Sequence, residues 1–124
     1  MRNNTDLLLE LLQMYPDYFG EISWPLPQDY PVPSMLNEIM FEVDCFRRLQ
    51  LPNGACRFGM ETEGDPRDAE VSWKQTMDVY VYAPDPWSSF IYASIAARLA
   101  QVLERYDTKL ASIYKDSAIK AMEW

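Results

Sequence analysis

The chain has 124 residues, 48% of them hydrophobic and 14% aromatic, with a formal net charge of −8. A composition this apolar argues against disorder, and a chain of this length buries roughly two-thirds of its unfolded surface without staples. The acidic balance argues against a nucleic-acid binder, which needs a basic surface to displace counterions from phosphates, and it offers no attraction to an anionic membrane.

Helical spacing predicts a first helix over residues 5–15, capped by Thr5 or Asn4, with Leu7, Leu8, Leu11, Leu12 and Tyr15 on one face. Pro16 ends it, because the residue before a proline avoids the helical region. The chain opens directly on this helix, which reads as a domain cut there. The run Leu7-Leu8-Leu9 is bounded by Asp6 and Glu10, so it forms no signal-peptide core. No stretch approaches the roughly 18 apolar residues of a membrane span. Residues 16–33 carry Pro16, Pro25, Pro27, Pro31 and Pro33, a density that makes a stiff, extended loop. Tyr18, Phe19, Trp24 and Tyr30 predict that this loop is laid onto the body.

A second helix is predicted over residues 34–49. Ser34 is its expected cap, and Glu38 early and Arg47 and Arg48 late match the helix dipole. Leu36, Ile39, Met40, Val43, Phe46 and Leu49 form one apolar stripe. Fully burying it contributes on the order of 10–15 kcal/mol gross, at about 1.5–3 kcal/mol per side chain, so this helix needs a partner. Pro52-Asn53-Gly54 closes it with turn chemistry. Cys45 and Cys56 flank that turn. A bridge between them is geometrically conceivable, but the expectation is a pair of small buried apolar residues. Two cysteines make no disulfide framework and leave the compartment open.

Residues 55–60 and 79–82 read as short strands or extended segments, separated by a polar, acidic loop over 61–70. Ala83-Pro84-Asp85-Pro86 is a break. A third helix follows over 87–106, with Ser88 or Asp85 as alternative caps. Phe90, Ile91, Ile95, Leu99, Val102 and Leu103 form its large face; Ala93, Ala96, Ala97 and Ala100 form a small one. A helix apolar on both sides is buried between neighbours. A fourth helix over 108–124, capped by Asp107 or Thr108, carries Leu110, Ile113, Tyr114, Ala118, Ala121 and Met122 at helical spacing. It makes a hairpin with the third. The fold class is all-α: about four helices in two pairs, a short extended excursion, and no sequence repeat.

The chain contains no histidine. That removes Ser-His-Asp and Cys-His mechanisms and most zinc sites. Four glycines make no phosphate-cradling loop. Carboxylates remain. Two of them hydrolyse a glycosidic bond when one protonates the leaving oxygen and the other activates water or attacks the sugar. Glu61, Glu63, Asp65, Asp68, Glu70 and Asp85 are the candidates; the alternatives are a solvated acidic loop or, without EF-hand spacing, a calcium-binding one. Trp73 and Trp87 stand at loop or helix-start positions. They either stack on sugar rings or plug the top of a helical core.

Several segments, in order, resemble glycoside hydrolase family nine, the family of many endoglucanases. They begin with Leu8-Leu9-Glu10-Leu11 and Tyr15-Pro16-Asp17-Tyr18-Phe19-Gly20-Glu21. The helix Val32-Pro33-Ser34-Met35-Leu36-Asn37-Glu38-Ile39-Met40-Phe41-Glu42-Val43-Asp44-Cys45-Phe46, ending in Leu49-Gln50, is similar to the family's Val-Pro-Asp-helix. Pro52-Asn53-Gly54 resembles its Pro-Asp-Gly-Gly turn, and Ala118-Ile119-Lys120-Ala121-Met122-Glu123-Trp124 resembles its Ala-x-x-Ala-Trp-Glu-Trp. The sequence departs at Asn37, where the family usually has Asp. Met40 replaces a basic residue and Phe41 a Trp. Arg57 or its neighbour stands where the family often places a sugar-side His.

The resemblance implies a partial (α/α)6 barrel, with residues 1–124 from its N-terminal half and truncated at both ends. It implies a β-glucan oligosaccharide or polysaccharide as substrate, hydrolysed with inversion by carboxyls roughly 6.5–9.5 Å apart around a water. The family's base lies in an Asp-Ala-Gly-Asp motif upstream of the first helix, and its acid is a Glu near the barrel's far C-terminal end. Neither stands in this chain, which is therefore expected to be inactive alone, with no catalytic residue, metal or cofactor of its own. Its expected contribution is scaffold plus the cleft-lining Arg57, Trp73 and Trp87, and its expected partners are the glucan and the rest of the barrel. The alternative is a non-catalytic helical module that binds carbohydrate, or binds protein through the small face over residues 93–100.

Overall fold

The computed structural model describes residues 2–25, 27–64, 71–74 and 76–124. Among them, helices α1 (Arg2–Met14), α2 (Pro16–Phe19), α3 (Ser34–Leu49), α4 (Pro86–Leu103) and α5 (Thr108–Glu123) carry the fold. Strands β1 (Met60–Thr62) and β2 (Val79–Val81), with a 3-10 turn over Ser72–Lys74, make the excursion between α3 and α4. This is the all-α plan expected of part of a helical barrel. α4 and α5 form the most extensive helix pair, and α1 packs across α4 and α3.

α1 starts earlier than predicted, and its inward face overlaps the predicted one at Leu8 and Leu12 but is rotated toward Leu9. Leu9 and Leu12 are buried, whereas Leu7 and Tyr15 are exposed. Thr5 is not a cap. It lies inside the helix, buried, and its hydroxyl donates to the Glu42 carboxylate on α3. Pro16 ends α1 but does not begin a plain loop: it sits in the first turn of α2, where its missing N–H costs nothing. Phe19, Trp24 and Tyr30 pack against the core, while Tyr18 is exposed.

α3 has the predicted bounds, and Leu36, Ile39, Met40 and Val43 are buried. Ser34 is its first residue rather than its cap. The buried Ser34 hydroxyl instead accepts from Trp24 N at 3.1 Å and Gln28 Nε2 at 2.8 Å, holding the proline-rich loop. Asn37 holds the same loop. Its Oδ1 accepts from Tyr30 N, and its Nδ2 donates to Tyr30 O and Val32 O, each at 3.0 Å. An aspartate has no donors for those carbonyls, so the departure at Asn37 has a physical reason.

Asp44, buried on α3, joins three segments. Its carboxylate accepts from Tyr30 Oη, Arg47 Nε and Tyr114 Oη, each at 2.7 Å. Burial alone would raise its pKa. The three hydrogen bonds outweigh burial and hold it below the ordinary value. Burial, then the bond to Asp44, pushes the Tyr114 phenol upward.

Both cysteines are free, and only Cys56 is buried. The expectation of a buried pair therefore fails at Cys45, which lies on the outer side of α3. Burial raises the Cys56 thiol to about 12.

α4 is capped by Asp85, whose carboxylate accepts from Ser88 N at 2.9 Å. Phe90, assigned to its buried face, is exposed. Tyr92 takes the inward place, and its hydroxyl meets Ser117 Oγ of α5 at 2.6 Å. Ala93, Ala96 and Ala100 are buried and bring the two helices close; Ala97 is exposed. α5 is capped by Asp107, whose Oδ1 accepts from Lys109 N and Leu110 N. Ile113 and Met122, predicted on its inner face, are exposed.

Candidate cleft wall at the excursion end

The turn after α3 brings three helix ends together. Gly54 has φ 99° and lies so close to α5 that a Cβ there would stand 2.0 Å from Lys120 O. The adjoining Gln50 side chain donates to Gly54 O at 3.0 Å and Ser117 O at 2.9 Å. Two residues beyond Gly54, Cys56 N donates to Ser89 Oγ at 2.8 Å, joining the turn to the start of α4. The excursion leaves from this junction.

β1 and β2 pair antiparallel with Met60 opposite Val81, Glu61 opposite Tyr80 and Thr62 opposite Val79. Both strands lie later or shorter than the extended segments predicted over 55–60 and 79–82; what precedes β1 contributes a bridge between Arg57 and Pro84. Arg57, half-buried, donates from Nη1 to Tyr82 O at 2.7 Å. Tyr82 N donates to Gly59 O at 3.0 Å, and its ring meets Phe58 edge-on at 5.6 Å between centroids. The Tyr82 hydroxyl donates to the Glu61 carboxylate, and this bond raises the Tyr82 pKa.

Trp87 lies in the first turn of α4 and is 64% exposed; Trp73 lies in the 3-10 turn and is 81% exposed. Neither plugs the core. The Arg57–Pro84 bridge places Arg57 beside the segment that leads to Trp87. Among the described residues, no hydrogen bond or ring contact ties Trp73 to Arg57 or Trp87.

The carboxylate candidates separate. Asp85 is a helix cap, held below its ordinary pKa by its bonds to Ser88. Glu61 pairs with Tyr82, and Glu63 is exposed. Asp65, Asp68 and Glu70 lie outside the described residues, as does most of the loop considered for calcium. Among the described residues no group of three or more Cys, Asp or Glu side chains is placed to hold a metal ion.

Phe58 and Tyr82 were not singled out from sequence. The alternation Val79-Tyr80-Val81-Tyr82 was visible, but only the strand register brings Tyr82 against Phe58 and Glu61.

No family model matches the chain, and no curated protein does. Solved structures do. The chain is similar to the glycoside hydrolase family nine endoglucanase J30, at 26% identity and a TM-score of 0.84, over 96% of this chain and 23% of that one. A mutant of a thermostable endoglucanase from Alicyclobacillus acidocaldarius shares the fold at 17% identity and a TM-score of 0.84, over 97% of this chain and 23% of that one. A family nine protein of Bacteroides ovatus does so at 22% identity and a TM-score of 0.78, with coverage of 97% and 23%. The chain thus has the fold of one stretch of the family nine barrel and spans under a quarter of the length of these structures.

Proposed function

We propose that this chain forms one wall of the glucan cleft of an inverting, endoglucanase-like β-glycosidase. The observation that carries the reading is the likeness to family nine endoglucanases over 96% of the chain, at a TM-score of 0.84 and 26% identity. Arg57, bridged to Pro84 in the segment before Trp87, Trp87 itself and Trp73 on the excursion are its proposed sugar contacts. Exposed indoles offer flat apolar faces to the C–H faces of glucose rings. Arg57 offers N–H donors to ring and hydroxyl oxygens, in place of the sugar-side His the family often has.

Acid and base stand outside this wall. Asp85 is committed to capping α4 and Glu61 to Tyr82, so neither is a poised general acid. The wall orients a glucan chain, and carboxylates elsewhere in the barrel cleave it with inversion across a water-wide gap. The 124-residue chain is expected to release no reducing sugar from a β-glucan. Release above background by the purified chain overturns the division of labour proposed here.

A second reading, a protein-association module, has one observation in its favour. Phe90, Ala93, Ala97, Ala118, Ile119 and Met122 line an apolar groove of about 670 Å³ between α4 and α5. Exposed grooves of this kind mark association surfaces, and in this reading the occupant is a second copy of the chain rather than further helices of a barrel. Light scattering tests it: self-association of the wild-type chain, relieved by Met122→Lys, is expected, and a clean monomer counts against it.

A further inference from the structure

We propose that Tyr82 and Glu61 form a hydroxyl-reading pair that binds two neighbouring hydroxyls of one sugar residue, an addition to Arg57, Trp73 and Trp87 that rests on the cleft-wall reading above.

Three features support it. The first is rigidity without burial. Tyr82 is tied through its N–H to Gly59, through its carbonyl to Arg57 and through its ring to Phe58. Yet Tyr82 is 38% exposed and Phe58 61% exposed. A two-stranded hairpin is marginal alone, so this much fixation of an exposed ring is more than the fold requires. Preorganised groups bind with a smaller ordering cost.

The second is the donor and acceptor pattern. The Tyr82 hydroxyl spends its proton on Glu61, which leaves the phenolic oxygen as an acceptor. The Glu61 carboxylate accepts that proton and keeps further lone pairs for a second donor. The pair therefore presents two acceptors side by side on an exposed edge, a match for the two O–H donors of a vicinal diol. The remaining Arg57 N–H groups supply the complementary donors for sugar oxygens.

The third is the floor. Phe58 and Tyr82 offer apolar surface beside these polar atoms. An apolar face edged by acceptors suits a pyranose ring, whose C–H face and equatorial hydroxyls lie at right angles.

The test is a titration of the 124-residue chain with cellotetraose, followed by two-dimensional NMR, for wild type, Tyr82→Phe, Glu61→Gln and Trp87→Ala. Tyr82→Phe keeps the ring and the Phe58 contact and removes only the hydroxyl. Tyr82→Phe and Glu61→Gln are each expected to weaken binding about three- to tenfold. Together they should cost little more than either alone, because the two act on one diol, and the thermal midpoint should not move. Unchanged affinity in both variants, with Trp87→Ala still weakening it, overturns the pair and leaves the cleft wall standing. Absence of binding by the wild-type chain at tens of millimolar sugar overturns both.

Discussion

Tyr114 on α5 donates its hydroxyl proton to Asp44 on α3 at 2.7 Å, across 70 positions of sequence. Tyr30 and Arg47 complete the same carboxylate, so one side chain joins the proline-rich loop, α3 and α5. Tyr114→Phe removes one bond to a charged acceptor and is expected to cost about 1.5–3 kcal/mol. Asp44→Ala leaves the buried Tyr114 hydroxyl, the partly buried Tyr30 hydroxyl and a partly buried guanidinium without their acceptor, and is expected to cost about 3–5 kcal/mol. Urea denaturation of the two variants checks both the size and the order.

The same carboxylate makes stability depend on acid. Its folded pKa lies below its ordinary 3.8, so its contribution is complete above that value and is lost as pH falls through the folded pKa. The melting temperature should therefore hold from neutral pH to about pH 5 and fall below about pH 4. In Asp44→Asn the acid limb should be shallower, starting from a lower plateau. An equally steep limb in that variant assigns the acid sensitivity elsewhere.

Replacing Asn37 by aspartate should harm this chain. Asn37→Asp sets a carboxylate against Tyr30 O and Val32 O, which now receive N–H bonds from Asn37. The expected loss is about 1–3 kcal/mol, with earlier proteolysis of the loop over residues 20–33. Limited proteolysis and thermal melts measure it.

Gly54 is the tightest backbone approach at the site. A side chain there meets Lys120 O at 2.0 Å and is strained at φ 99°. Gly54→Ala is expected to cost more than about 2 kcal/mol, whereas Gly59→Ala, with nothing within 4 Å of a Cβ, should pay only for its backbone at φ 158°. Comparing their unfolding midpoints separates close approach from strain.

Some of this was legible in the sequence. α3 was read at its full extent because Pro33 and Pro52 punctuate a single unambiguous stripe. The face of α1 is only half legible, at Leu8 and Leu12, because Leu7, Leu8, Leu9, Leu11 and Leu12 support two overlapping stripes. The partner decides between them: Glu42 on α3 accepts from Thr5 and turns Leu9 and Leu12 inward. Tyr92 on α4 is not among the residues its spacing singles out, and its burial rests on Ser117 of α5, whose Oγ meets the phenol at 2.6 Å. At the site, Trp73 and Trp87 stand out by type and position, and Arg57 only through the resemblance, at the place of a sugar-side His. The Phe58–Tyr82–Glu61 cluster does not, since it exists only through strand register.

The central claim, that the excursion end is a glucan-binding wall, meets its most direct test in one measurement: titration of Trp fluorescence with cello-oligosaccharides in the wild-type chain and in Trp87→Phe. The account predicts a saturable change at millimolar sugar that is largely lost in Trp87→Phe. No change at millimolar sugar, or a change untouched by Trp87→Phe and by Trp73→Phe, contradicts it.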